Sequence, residues 1–337
     1  MRPMARAWLV AVMALVGLCQ AAAAPAQACA APPAPVVDLD IPRFYGDAQG
    51  SVIDMKQMAL HDAAVAPLKH FVQEVAGQAD RALAAAGDER AREAASCALA
   101  WIGAWAKAGA FLGKMAQAQA EYQRKWDLGG IAIAYLKVRR WARPEQRAVI
   151  EPWLMRFADA ARAFYDDAGH KRNNHWYWLG LGMAAVGLAA DSQRHWDAAR
   201  GIMQDAARDI GPDGTLALEL ARGARAIHYH AFSTMPVVML AELGAARGED
   251  WYGLNGGAVH RLVDVTRRGL ADPGVFTPLA GMPQQSKPGA GAGWWVAYAA
   301  RFPERAAGAA PDMKPGHRWL GGDVARLIRS LAPGVRS

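Results

Sequence analysis

Asn173-Asn174-His175-Trp176-Tyr177-Trp178 sets two amides and an imidazole ahead of three aromatic rings, with the cations Lys171 and Arg172 just before them. The run that follows, Leu179 to Leu188, is apolar and carries Gly180, Gly182 and Gly187. Asn173 or Asn174 is therefore expected to cap a buried helix, with His175 in its first turn. A helix start offers unpaired N–H groups and the positive end of the dipole, which favours an anion nearby and keeps a histidine neutral. Taken alone, the same string fits an asparagine cap followed by core aromatics equally well.

A second group lies at Glu219-Leu220-Ala221-Arg222-Gly223-Ala224-Arg225-Ala226-Ile227-His228-Tyr229-His230. On one continuous helix, Arg222, Arg225 or Ala226, and Tyr229 would share a face. A guanidinium beside a phenol lowers its pKa from about 10, making Tyr229 a candidate proton shuttle. A surface ion pair of Glu219 with Arg222 or Arg225 beside a buried tyrosine is the alternative. His228 and His230 diverge on a helix and have no third ligand nearby in sequence, so no metal site is expected. No GxSxG, P-loop or dinucleotide fingerprint is present. Asp166, Asp167, Asp213 and Glu219 lack the context of a glycosidase carboxylate pair.

These groups need a scaffold. The chain has 337 residues, 53% hydrophobic and 20% charged, ample for a core and incompatible with general disorder. Its formal net charge is +7, which draws polyanions: nucleic acid, anionic lipid or acidic polysaccharide. Lys and Arg are scattered and no nucleic-acid motif appears, so nucleic acid is not the expected partner. Residues 1–28 read as a signal peptide: Arg2 and Arg6, an apolar run from Ala7 to Leu18, then Ala-x-Ala sites. No later stretch has the length of a membrane span, so a periplasmic or secreted protein is expected. Cys19 leaves with the signal. Cys29 and Cys97 remain, and in an exported protein such a pair suggests a disulfide, two buried thiols being the alternative.

From Asp54 onward apolar residues recur at helical spacing and two-residue alternation is scarce, so the fold class is all-α. Breaks are expected near Gly77, Gly87, Gly129-Gly130, Pro144, Gly169, Asp191, Gly214, Gly248 and Gly274, which leaves about ten to thirteen helices joined by short turns. Antiparallel hairpins of this kind stack as a row, a bundle or a ring, and the lack of a fixed repeat argues against a TPR or HEAT array. No linker divides 29–337, which is treated as one domain. An arm or lid is expected around 41–53 and a cleft rim at 280–293.

Asn173 to Trp178, followed by Leu218-Glu219-Leu220-Ala221-Arg222 and Tyr229-His230, resembles the alginate lyases of polysaccharide lyase family 5. The likeness extends to Cys97 through Trp105, to Arg124-Lys125-Trp126-Asp127-Leu128-Gly129-Gly130, and to Leu320-Gly321-Gly322-Asp323. The resemblance implies an incomplete (α/α) toroid of antiparallel hairpins with a central cleft. It further implies cleavage of a 1,4-linked polyuronate by β-elimination without metal or cofactor, with Asn174, His175, Arg222 and Tyr229 as the active group. The family's lid has a basic residue just before a tyrosine, whereas here Phe44 precedes Tyr45 and Arg43 lies one step back.

The chemistry suits these residue types. Removing H5 of a uronate adds negative charge next to a carboxylate, so donors must be in place beforehand, and Asn174, Arg222 and a protonated His175 qualify. In β-D-mannuronate and β-D-glucuronate, H5 and the C4 oxygen share a ring face, so Tyr229 alone can take the proton and return it. In α-L-guluronate they lie on opposite faces and two groups are needed. Preference for mannuronate or glucuronate linkages is therefore expected, with hyaluronate a further candidate. Trp126, Trp176, Trp178, Trp294, Trp295 and Tyr298 offer flat faces for sugar rings. Lys125, Lys171, Arg172 and Arg318 offer charge for carboxylates, and protonation of His175 and His228 offers control over which sugar fits. A monomer is expected. A polyuronate-binding export protein and an (α/α) glycoside hydrolase are the competing readings.

Overall fold

The computed structural model describes residues 29–47, 50, 52–167, 169–285, 293–307 and 313–331. The expected signal at 1–28 lies outside the described residues, as does the 286–292 part of the expected rim. Among the described residues there are twelve α-helices: α1 Met55–Ala84, α2 Asp88–Lys107, α3 Ala118–Val138, α4 Pro144–Ala163, α5 Asn174–Ala189, α6 Gln193–Asp209, α7 Ala217–Leu220, α8 Ala226–Ala246, α9 Leu254–Ala271, α10 Thr277–Ala280, α11 Trp294–Arg301 and α12 Val324–Leu331. Two short strands, β1 Gly316–His317 and β2 Gly322–Asp323, pair antiparallel.

The long helices pair as α1–α2, α3–α4, α5–α6 and α8–α9, with α11–α12 as a shorter last pair. Helices α1, α3, α5, α8 and α11 neighbour one another in that order and form the inner row. This is the incomplete (α/α) toroid. Helices α5 and α8 are buried on all sides, as a helix flanked by two inner neighbours and an outer one must be. The outer α6 and α12 bury only one stripe.

The ring has two unlike ends. Turns 85–87, 139–143 and 190–192 close the hairpins at one end, and the longer connections 108–117, 164–173 and 210–225 lie at the other. So α3, α5 and α8 all start at the long-loop end, as α1 does after the arm. Their first turns open onto one cleft.

Two sequence expectations are corrected by packing. Gly129-Gly130 does not end a helix but sits inside α3, as Gly77 sits inside α1. A Cβ on Gly130 would lie 2.3 Å from the carbonyl of Arg318, so that glycine admits a turn of the C-terminal strap against α3. Nor is 219–230 one helix. Helix α7 stops at Leu220, Gly223 takes φ 57°, and a single 3-10 turn at Gly223–Arg225 leads into α8. The described end of the expected rim underpins this break: Gln284 accepts from the N–H of Ile227 (3.1 Å) and donates to the carbonyl of Gly223 (3.0 Å).

Both chain ends are tied down. Cys29 and Cys97 form a disulfide, and the indoles of Trp101 and Trp105 donate to the carbonyls of Ala30 and Pro33, laying the arm along α2. At the other end the buried Lys137 ammonium donates to Asp80 (2.6 Å) and to the carbonyls of Gly321 (2.6 Å) and Asp323 (2.9 Å). This places the strap carrying Arg318 and Trp319 over α1 and α3.

The disulfide spans 68 residues, a loop whose closure stabilises a fold by about 4 kcal/mol on the chain-entropy estimate. Cys97→Ser, or reduction of the native protein, is expected to lower the melting temperature by several degrees in calorimetry. An unchanged transition would show that the arm is held by its hydrogen bonds alone.

Candidate active site

The cleft has a volume of about 980 Å³ and is lined from the lid, the starts of α1, α3, α5 and α8, the 210–225 connection and the strap. Tyr229, in the first turn of α8, lines it while only 7% exposed. Because the chain breaks at Gly223, Arg222 folds back over the Tyr229 ring, its guanidinium 3.5 Å from the ring centroid. The guanidinium of Arg225 lies 5.3 Å from the same centroid.

The phenol does not behave as the sequence suggests. Burial, then the neighbouring Tyr45, raise its pKa, and Arg222 and Arg225 only partly oppose them. The expected lowering is therefore reversed, because desolvation of phenolate outweighs two partly solvated cations.

The lid brings Tyr45 onto this group. The Tyr45 and Tyr229 hydroxyls are 2.7 Å apart, and Arg225 donates to the Tyr45 hydroxyl (3.0 Å). Arg222 reaches the lid as well, donating to the carbonyl of Gly50 (2.8 Å). Gly50 has φ +67°, and a Cβ there would lie 2.8 Å from the Arg222 guanidinium, so only glycine suits the position. Phe44, where the resemblance leads one to expect a cation, packs on Tyr45 and edge-on to His61, which bonds the carbonyl of Pro42 (3.1 Å). Arg43 lines the cleft and hydrogen-bonds the carbonyl of Asp47.

At the start of α5, Asn173 caps the helix by accepting from the N–H of His175 (3.2 Å). His175 lines the cleft, stacked on Tyr122 at 4.0 Å. Burial, with Lys125 and Arg222 nearby, holds its pKa well below the ordinary value, so it is a neutral imidazole rather than the protonated donor considered above. Asn174 is fully buried just behind the wall. Glu219 accepts from both its backbone N–H and its side-chain amide, each at 2.9 Å. Glu219 is thus no surface ion-pair partner: it is 1% exposed and serves as the buried clamp of Asn174. Among the described residues, Asn174 Oδ1, His175 Nδ1 and Arg222 Nε are buried without a protein partner, a concentration of unmet polar atoms of the kind found at functional sites.

The remaining assignments divide. Trp126, His228, Lys171 and Arg318 line the cleft. Lys125, Trp176 and Trp178 do not. Lys125 is fully buried, its ammonium 4.4 Å from the Trp126 centroid and bonded to the carbonyl of Tyr122, because α3 carries it to the inner side of the aromatic wall. Trp176 donates to Asp205 on α6 (3.0 Å), with Arg172 laid over its ring, and Trp178 is wholly core. Trp294, Trp295 and Tyr298 are likewise core residues.

Sequence reasoning left four residues of the site out of its active group. Tyr122 lies one turn before Trp126 on the same face of α3, a spacing that could have revealed it. Trp319 stacks on Trp126 at 4.6 Å and donates to buried Asp127 (3.1 Å). Helical spacing put Arg225 on the Tyr229 side, but its bond to the lid and the burial of Glu219 are tertiary, and spacing discloses neither. The two histidines of the HxH pair part company as expected. His228 faces the cleft, whereas His230 accepts from the N–H of Leu216 (2.9 Å) and bonds the carbonyl of Ala226 (2.8 Å), pinning the connection to α8.

The "Alginate lyase" family model matches residues 42–276. A polysaccharide lyase of Stenotrophomonas maltophilia is 41% identical over 320 residues, 94% of this chain and 95% of that one. An alginate lyase of Azotobacter vinelandii is 34% identical over 259 residues, 72% of this chain and 68% of that one. Among solved structures, alginate lyase A1-III from Sphingomonas species A1 superposes with a TM-score of 0.74, at 24% identity, over 89% of this chain and 86% of that one.

Burial lowers the pKa of both His228 and His230 to about 4. In the unfolded chain they titrate near about 6.5 and so bind more protons between those values, which makes stability fall as pH drops through that window. Denaturant melts are expected to lose stability steadily from about pH 6.5 towards pH 4, and His228→Phe should flatten part of the slope.

Proposed function

The chain belongs to the alginate lyase family, and from that premise we propose that it cleaves poly-β-D-mannuronate and related 1,4-linked polyglucuronate by β-elimination, with Tyr229 as acid and base. The observation that carries this reading is the Tyr229 hydroxyl at the cleft, in contact with the lid tyrosine and carried on a ring that the Arg222 guanidinium covers. The bound sugar acid displaces Tyr45 from the Tyr229 hydroxyl. The phenolate takes H5, the C4–O bond breaks as the C4=C5 double bond forms, and the same phenol returns the proton to the departing C4 oxygen.

The charge that grows on the carboxylate meets donors of two kinds. Arg222 supplies a cation and neutral His175 an N–H that needs no ionisation, while the Asn174 amide, one N–H of which Glu219 holds, keeps its second N–H for the carboxylate. Trp126, Trp319 and Tyr122 offer the sugar flat faces, while Arg43, Lys171, His228 and Arg318 surround it. A phenol made less acidic by burial disfavours the base form, so the rate should rise with pH. The signal-like 1–28 segment and the disulfide support action in the periplasm or outside the cell.

Incubating the mature protein with polymannuronate should produce the ultraviolet absorbance of an unsaturated uronate, faster at alkaline than at neutral pH, with polyguluronate cleaved far more slowly. Reducing ends without that absorbance would mean hydrolysis. Tyr229→Phe should abolish turnover with the fold intact; retained activity would remove this phenol from the mechanism.

Glu219 touches no reacting atom and acts through Asn174 as a positioning residue. Losing its charged hydrogen bonds is worth about 1.5–3 kcal/mol, or roughly 10- to 150-fold. Glu219→Leu should lower kcat by that factor with little change in KM. Glu219→Gln, whose oxygen can accept the same two bonds, should recover most of it. Equal losses in both would point to the charge rather than the geometry.

A further inference from the structure

At the short-turn end of the ring lies a second cavity of about 750 Å³, lined by the last turns of α1 and α3, the end of α5, the residue after α8 and one side of α12. Seven of its lining side chains are cationic and one, Asp191, is anionic. Some of this charge is already matched. Lys137 pairs with Asp80, Arg139 with Glu151 and Asp191, and Arg326 with Asp323. Arg147 donates to the carbonyls of Ala142 and Arg139 and so answers a helix end.

Arg140, Arg247 and Arg329 are exposed, and among the described residues none of them pairs with a carboxylate, Arg247 donating only to the Gln193 side chain (3.3 Å). Two of the three lie over an indole: the Arg140 guanidinium is 4.0 Å from the Trp141 centroid, and that of Arg247 is 4.6 Å from the Trp196 centroid. A guanidinium packed on an indole still has N–H groups to offer a planar carboxylate. Uncompensated guanidiniums round a concave surface are what a chain of carboxylates would recognise.

We propose that this cavity is a second binding site for the acidic polysaccharide, holding a stretch of chain remote from the one being cut. The inference rests on the polyuronate reading of the cleft. Helix α3, with 21 residues at about 1.5 Å each, separates the two mouths by roughly 30 Å, so a short oligomer fills one site only. A long chain passing round the ring reaches both, and the second contact is then made at a high effective concentration.

The test uses the full mature chain carrying Tyr229→Phe, which binds without turnover, with and without the triple change Arg140→Ser, Arg247→Ser and Arg329→Ser. Binding of polymannuronate and of a mannuronate trisaccharide is measured by calorimetry at low and moderate salt. The triple change should weaken polymer binding at least about fivefold and reduce its salt dependence, while trisaccharide affinity stays the same, which also reports an intact fold. Restoring charge with three lysines should recover part of the loss. Equal polymer affinity with and without the three arginines would overturn the second site and leave the cleft reading standing. Failure of either ligand to bind any of the proteins would overturn both through the substrate.

Discussion

The site depends on the guanidinium of Arg222 lying 3.5 Å from the centre of the Tyr229 ring while its other edge holds the carbonyl of Gly50. That one cation joins the lid, the break before α8 and the phenol. It needs the positive φ of Gly223 to double back, and it needs glycine at position 50 to come so close. A side chain at either glycine would separate the lid from the ring of helices. The stack also sets the electrostatic contest at the phenol, in which burial prevails over the guanidiniums and keeps the resting hydroxyl protonated.

Round this contact the toroid does one thing consistently: it starts its inner helices at the cleft. The first turns of α1, α3, α5 and α8 line the same opening, so positive dipole ends face the place where an anionic polymer would lie. The opposite mouth collects helix ends, one of which Arg147 answers, beside arginines that pair with no carboxylate among the described residues. Inner helices buried on every side hold these ends in register, and the amphipathic outer row closes the core against water.

Much of this was legible in the chain. The helical spacing from Asp54, the asparagine cap before an apolar run and the cysteine pair each rest on local rules, and each appears in the structure as a helix, a cap and a bond. Glycine was the residue most easily misread. In Gly129-Gly130 it looked like a helix end, yet it serves there to admit the strap, since a missing Cβ permits close approach as readily as it permits a turn.

The sequence by itself determined which elements form and which residue types stand at their starts, because caps, periodicity and parity act over a few residues. Tertiary structure alone decided the chemistry of those residues. Burial reversed the expected shift of Tyr229, drew Lys125 behind the aromatic wall, turned Glu219 from a surface acid into the clamp of Asn174, and brought Arg225 to Tyr45 across 180 positions. Solvation and long-range contact are properties of a packed environment, and no spacing along the chain encodes them.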